Sequence, residues 1–454
     1  MSKDKLITQF VEGSIPKQLA AFATPLFLSS LLQMMYNMVD MIIVGHALGK
    51  AGLSAVAVGS DISNFITFFI MGFANAGQII ISQYIGAQQR DKLGKFIANM
   101  LLTLLASALV LSVVCLFLRE FFLNIMNTPQ ESYGEALAYS TVCISGLVFI
   151  SGYNMISAVL RGMGDSKHPF VFIAIASVLN ILLDIIFVIG MSMGSAGAAL
   201  ATVVSQGVSF LLCLAFLYKK REELGFKITV RDLFSLDKRM LSSLVKLGFP
   251  MAIKSTSIHF SKLFVNSWIN SYGVAVSAFA GIANKLSSIS NLISNSVNTA
   301  GSSMVGQNIA AKKFKRVPKI MNTIAIFTFL ISTLLAAVIL KFPDQVFSIF
   351  TTDSAVLAIG REYLYVAVLM FYGSAARAPM NALLNGSGDY KINFVTAILD
   401  GIVMRIGLSI LFGLGVKMGY IGFWLGDALA GFTPLFIGTV FFATGKWRRQ
   451  NIIS

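Results

Sequence analysis

The sequence predicts an all-α membrane protein of twelve transmembrane helices in two parallel six-helix repeats. Three observations predict it. Of the 454 residues, 56% are hydrophobic and only 12% are charged, where soluble domains run to roughly 25% charged. The apolar residues gather into twelve continuous runs of helix length, not the short alternating segments of a membrane barrel. An eleven-residue signature in the first half also recurs in the second, displaced by 224 residues.

Spans 1 to 6 run approximately Leu19 to Val44, Leu53 to Ile80, Phe96 to Leu118, Leu137 to Leu160, Pro169 to Met191 and Ala196 to Leu217. After a polar connector, spans 7 to 12 follow at Leu247 to Tyr272, Ala275 to Val305, Ile320 to Leu340, Ala355 to Leu384, Phe394 to Leu414 and Ile421 to Phe442. Each is long enough to cross a bilayer, which takes roughly 20 apolar residues, and a helix satisfies its own backbone in lipid. The N-terminal MSKDKLITQFVEGSIPKQLAAF lacks the short apolar core and small-residue cleavage site of a signal peptide, so span 1 is expected to be retained. Cys115, Cys143 and Cys213 all fall in apolar runs without metal-ligand spacing and read as small core residues.

The formal net charge of +15 first suggests an acidic partner such as nucleic acid, but its distribution argues for topology. With the N-terminus inside, 25 of the 35 Lys and Arg fall in cytoplasmic segments and only Lys50, Arg119, Lys341, Arg361 and Lys417 fall outside. Positive residues stay on the cytoplasmic side, so both termini are expected to be cytoplasmic and no nucleic-acid role is implied. The remaining five, Lys254, Lys262, Lys285, Arg377 and Arg405, lie within spans.

The repeated signature is Leu160-Arg-Gly-Met-Gly-Asp-Ser-Lys-His-Pro-Phe170 after span 4 and Leu384-Asn-Gly-Ser-Gly-Asp-Tyr-Lys-Ile-Asn-Phe394 after span 10, identical at six positions. The same displacement aligns Gln83, Ile85, Ala87 and Lys95 with Gln307, Ile309, Ala311 and Lys319. An even number of spans returns the chain to the same side, so the repeats are expected to be parallel, with a cavity between them. The domain reading is an N-terminal lobe over residues 1–218, a cytoplasmic linker over 219–246 and a C-terminal lobe over 247–454. Neither Gly-x-Gly-Asp continues to the Gly-Lys-Ser/Thr of a phosphate loop, so each reads as a tight turn whose Asp caps the next helix. No ATP-driven pump is indicated. Nor does any His-Glu-x-x-His or Ser/His/Asp set appear among His46, His168 and His259, so the protein is not expected to be an enzyme.

Polar groups inside the spans carry the functional reading. Gln33, Tyr36, Asn37 and Asp40 share one face of span 1, and Ser177, Asn180 and Asp184 share one face of span 5. A carboxylate at this depth is costly unless protonated, paired or coordinating a cation. Two such carboxylates near each other can hold one proton and exchange it for Na⁺ or a substrate, which is the chemistry of ion-coupled exchange. The displacement sets Phe264 against Asp40 and Leu408 against Asp184, so an ion site is expected in the first half alone. The second half carries Lys254, His259 and Lys262 on span 7, and a polar stripe of Asn284, Ser288, Asn291, Asn295, Asn298 and Ser302 on span 8. Met34, Met35, Met38 and Met41 on span 1 offer an adaptable apolar surface.

Twelve spans in two repeats, the Leu-Arg-Gly-x-Gly-Asp turn with its echo, and Asp40 on span 1 together resemble multidrug and toxic compound extrusion (MATE) transporters, within them the DinF-like and MepA-like branch. The resemblance implies a V-shaped bundle with a central cavity. It implies a cation site in the N-terminal lobe formed by Asp40, Tyr139, Asn180, Asp184 and Thr202, with Na⁺ as a possible occupant at Asp40, Asn180, Asp184 and Thr202. The NorM-like branch instead places acidic ligands on helices 7 and 10, where this sequence has Lys254, His259, Lys262 and Arg377. Proline in the family's first helix is linked to bending, and Pro25 lies toward the cytoplasmic end of span 1.

The implied function is a secondary active antiporter, needing no cofactor, that exports amphipathic or cationic organic compounds in exchange for H⁺ or Na⁺. Its substrate cavity would include Gln33, Met34, Tyr36, Asn37, Ser177, Lys254, His259, Asn284, Asn291 and Asn295. It would act as a monomer in the bilayer of a bacterial or archaeal cytoplasmic membrane. The intramembrane bases of the second half motivate the alternative, a lipid or glycan flippase.

Overall fold

The computed structural model describes residues 9–224, 226, 236–449 and 452–453. Residues 225 and 227–235 of the expected linker lie outside the described residues, as do Lys3, Lys5, Lys227 and Arg231 of the cytoplasmic charge. Of the described residues 87% are helical, and none of them forms a strand. Helix α1 (Ile15–Gly86) contains both of the first two spans, separated at Gly49, whose φ of 63° and ψ of −149° a side chain would strain. Helix α2 (Arg90–Ile125) is the third span. Helices α3 (Gln130–Ser145) and α4 (Leu147–Gly162) form the fourth, bent by 48°. Helix α5 (Lys167–Asp184) widens into a π turn at Ile185–Gly190, and α6 (Gly194–Lys220) closes the first repeat.

The second repeat begins with α7 (Lys238–Asn270), α8 (Val274–Ala310) and α9 (Arg316–Lys341). A short α10 (Pro343–Ser348) precedes α11 (Ser354–Gly386), the tenth span. The eleventh joins α12 (Tyr390–Ile398) to α13 (Met404–Ile410) through a π turn at Leu399–Val403 and ends in another at Leu411–Gly415. Helices α14 (Gly419–Ala430) and α15 (Thr433–Ala443) make the twelfth. Among the described residues, eight helices, or nine with the bent α3–α4 pair, are long and apolar enough to cross a membrane. Serines, asparagines and lysines keep α7 and α8 below that mark.

The chain divides into two compact units, one holding Thr24–Gly248 and the other holding Phe10–Ala23 with everything from Phe249 onward. Lobe boundaries at 218 and 247 therefore do not account for residues 10–23, and the reason is local. Phe10 is fully buried, its N–H donates to Gln307 Oε1 at 2.8 Å, and its carbonyl accepts from Asn308 Nδ2 at 3.1 Å and from Arg316 at 3.2 Å. In the first unit, the connector end is held likewise: the Asp237 N–H donates to Asn99 Oδ1 at 2.9 Å and Lys95 Nζ to Asp237 Oδ2 at 3.0 Å.

The repeat is visible in detail. At the two signature turns, Gly164 and Gly388 take φ of 86° and 72°, and the following Asp caps the next helix in both. Asp165 Oδ1 accepts from the N–H groups of Lys167 and His168, and Asp389 Oδ1 from those of Lys391 and Ile392. Two residues before those glycines, Gly162 and Gly386 let helices touch: a Cβ would come within 2.7 Å of the Gln78 carbonyl oxygen in one repeat and of the Ser302 carbonyl oxygen in the other. In lipid such close backbone approach replaces the hydrophobic drive of a soluble core. The second unit adds an aromatic cluster in which Phe279 meets Phe347, Tyr363 and Trp424 edge-on at 5.3, 5.3 and 5.6 Å.

Candidate functional site

In the first unit, two helices bring the buried acids together. Asp40 comes from the first arm of α1, while Asn180 and Asp184 come from the last two turns of α5, Asp184 being the residue before the π turn. Wide turns of this kind interrupt the regular backbone pairing and recur at functional positions. Asp184 has no exposed surface and Asp40 is 5% exposed, and each lies within electrostatic reach of the other. Asn180 Nδ2 donates to Thr202 Oγ1 on α6 at 3.4 Å, which leaves its oxygen free. Tyr139 on α3 shares a hydrogen bond of 3.2 Å with Ser60, and its ring packs with Val44, Val56 and Val188.

Asp40 Oδ1, Asn180 Oδ1 and both Asp184 oxygens have no hydrogen-bond partner. Buried carboxylate oxygens are ordinarily paired, protonated or bound to a cation. Among the described residues no base bonds these oxygens, so this oxygen-rich set has the chemistry to hold a proton or a hard monovalent cation. Beyond Asp40 and Asp184 along the same segments, Ile42, His46, Val188 and Ser192 help to line an open cleft of about 560 Å³.

The other expected cavity residues divide between the units. In the first, Gln33, Met34 and Tyr36 are half-buried, Asn37 is exposed, and Tyr36 OH accepts from Gln206 Nε2 at 3.4 Å. Ser177 is buried but donates its hydroxyl proton to the Ile173 carbonyl of its own helix. Pro25 stands two residues past Ala23, and its carbonyl accepts from Ser29 Oγ at 2.8 Å. In the second unit, Lys254 Nζ donates to Asn381 Oδ1 at 2.7 Å and Lys262 Nζ to Ser287 Oγ at 3.3 Å. Asn291 also donates to Ser287 Oγ, while His259, Asn284 and Asn295 are exposed.

Sequence reasoning missed the acids of the second half. Arg377 pairs with Asp400 at 2.6 Å, Arg405 lies 3.6 Å from the other Asp400 oxygen, and Arg405 also bonds Asp427. The arginines thus find carboxylates within their own half. The signal was present as single Asp residues inside the apolar runs VTAILDGIV and FWLGDALAG. Asking only what the 224-residue displacement sets against Asp40 and Asp184 passes over both, since it places Asp400 against Ala176 and Asp427 against Val203, and the π turn Leu399–Val403 that carries Asp400 has no counterpart in the first repeat.

A doubled set of six membrane spans with acids buried inside both repeats fits a membrane transporter. The MatE family model matches residues 25–186 and again 250–411, and the chain belongs to that family, whose members are transporters and not enzymes. It is 29% identical over 446 residues, 98% of both chains, to the Bacillus subtilis protein named "Probable multidrug resistance protein YpnP". It is 23% identical to the "Multidrug export protein MepA" of Staphylococcus saprophyticus, over 91% of this chain and 90% of that one. The fold is shared, at a TM-score of 0.88 and 23% identity over 98% of both chains, with a MOP superfamily transporter from Pyrococcus furiosus.

Proposed function

We propose that the protein is a multidrug efflux antiporter of the cytoplasmic membrane, exporting amphipathic, often cationic organic compounds in exchange for H⁺ or Na⁺. Asp40 and Asp184 are the coupling pair, with Asn180, Thr202 and Tyr139 around them. The observation that carries this reading is the set of buried oxygens on Asp40, Asn180 and Asp184 that no base bonds among the described residues. The export names of relatives spanning nearly the whole chain support it.

The physics of coupling follows from charge. With both carboxylates bare, two like charges face each other in a medium that penalises each, and binding H⁺ or Na⁺ removes part of that cost. An inward ion gradient therefore drives the first unit toward its ion-bound state, and the drug is released when that state disfavours it. Met35, Met38 and Met41, exposed on α1 beside Asp40, give a surface that can repack around differing apolar bodies. Both termini are cytoplasmic and the protein works as a monomer in this reading.

The test is efflux in everted vesicles with Na⁺ and pH gradients imposed separately, on wild type and on Asp40→Asn with Asp184→Asn. Gradient-driven export should be lost in the double variant, and undiminished coupled export there would overturn the assignment.

A further inference from the structure

We propose that the second unit holds an anion-binding site at Lys254 and Lys262, which takes the carboxylate or phosphate group of an amphipathic organic solute. The proposal rests on reading the protein as a small-molecule exporter and names a substrate class for it.

Charge counting within the unit leads there. The spans of this unit bring four bases, Lys254, Lys262, Arg377 and Arg405, to a cluster with two carboxylates, Asp400 and Asp427. Both carboxylates are held by the arginines, and Asp400 and Arg405 are sealed, with side chains 0% and 3% exposed. Asp427 shares a small hollow with Lys262, but Arg405 bonds it. The lysines are therefore the two positive charges in excess. Each makes one hydrogen bond, to a neutral oxygen: Asn381 Oδ1 for Lys254 and Ser287 Oγ for Lys262.

An ammonium carries three donors, so each lysine keeps two for a ligand. A charge at membrane depth stays unpaired only at a cost, and such residues mark ligand paths. Both lysines are half-buried, so a solute reaches them where it cannot reach Arg405. They stand eight residues apart on α7, about 12 Å along the axis, and Ser287 accepts from both Lys262 and Asn291. Lys285, exposed on α8, adds the same sign. Lysine, a compact point charge, suits carboxylate and phosphate alike.

The experiment compares two dyes that differ at one group: rhodamine 6G, an ethyl ester, and rhodamine 19, its free acid. Binding is measured by fluorescence polarisation on the full-length protein in phosphatidylcholine nanodiscs, and again in discs doped with phosphatidylglycerol. Wild type should bind the acid about tenfold more tightly than the ester, and Lys254→Gln with Lys262→Gln should bring that ratio close to one. Lys254→Arg with Lys262→Arg should retain the preference, because the charge is kept. Should the double Gln variant fail to fold, each single Gln variant should show an intermediate ratio. A preference erased by phosphatidylglycerol in wild type identifies a lipid headgroup as the natural occupant, and one that survives it identifies a free solute. A wild-type ratio near one in phosphatidylcholine, or an unchanged ratio after both Gln substitutions, would overturn the site. Because binding alone is read, that result leaves ion-coupled export of the ester standing.

Discussion

Arg377 donates to Asp400 across 2.6 Å inside the second unit, and the Asp400 side chain has no exposed surface. The pair does not stand alone, since Arg405 lies against the other Asp400 oxygen and reaches on to Asp427. One carboxylate thus balances two guanidinium groups, and its place in the π turn Leu399–Val403 is what aims it between them.

Removing Asp400 should therefore cost more than removing either arginine. An unpaired buried charge typically costs about 3 to 5 kcal/mol, and Asp400→Asn strands Arg377 and leaves Arg405 with Asp427 alone. The molecule supplies its own reporters: Trp268, Trp424 and Trp447 all lie in the second unit, and Cys115, Cys143 and Cys213 all lie buried in the first. The tryptophan-monitored melting point of Asp400→Asn in detergent should fall by more than that of Arg377→Gln. Arg377→Gln combined with Asp400→Asn should lose less than the sum of the two, and an additive loss would mean the pair is not coupled.

The two-fold repetition gives a matched prediction. Ala at Gly162 or Gly386 would place a methyl 2.7 Å from a carbonyl oxygen of the neighbouring helix, Gln78 in one case and Ser302 in the other. Backbone cannot step aside as a flexible side chain would, so each substitution should destabilise by about 1 to 3 kcal/mol. Gly162→Ala should lower the midpoint read by a thiol-reactive dye, and Gly386→Ala the one read by tryptophan. Ala at Gly134, which has open space around it, serves as the neutral control.

These cases mark what the chain of residues discloses by itself. Signature turns are legible because their determinants are local: Gly takes the positive φ, Asp caps the helix N–H groups two and three residues on, and both recur at a fixed displacement. Asp40, Asn180 and Asp184 stand out because a carboxylate or amide in an apolar run has few tolerable settings. The clamp on Phe10 has no such local sign, since its partners Gln307, Asn308 and Arg316 lie about three hundred residues away. Asp400 and Asp427 are equally visible as letters, but their meaning depends on which base each meets. A π turn rotates that outcome by a residue, which no helical periodicity anticipates.

The contact between Lys95 and Asp237 makes the first unit's stability depend on pH in a defined direction. The Lys95 ammonium, at 3.0 Å, holds the Asp237 carboxyl below the ordinary carboxylate range, helped by the N–H groups of Met240 and Arg239. A carboxyl so depressed binds its proton more readily in the unfolded chain, where it titrates near about 3.9. Its contribution is complete above that value and disappears as the pH falls through the lower folded one. Both side chains are about one third exposed, so water and salt screen the pair and its worth stays under about 1 kcal/mol. Lys95→Met should lower the thiol-dye midpoint by a similar amount at pH 7 and pH 5. Below about pH 4 the gap between the variant and wild type should close, and raised salt should narrow it at neutral pH. A gap of constant size down to pH 2 would show that Lys95 stabilises the connector through packing of its aliphatic stem and not through its charge.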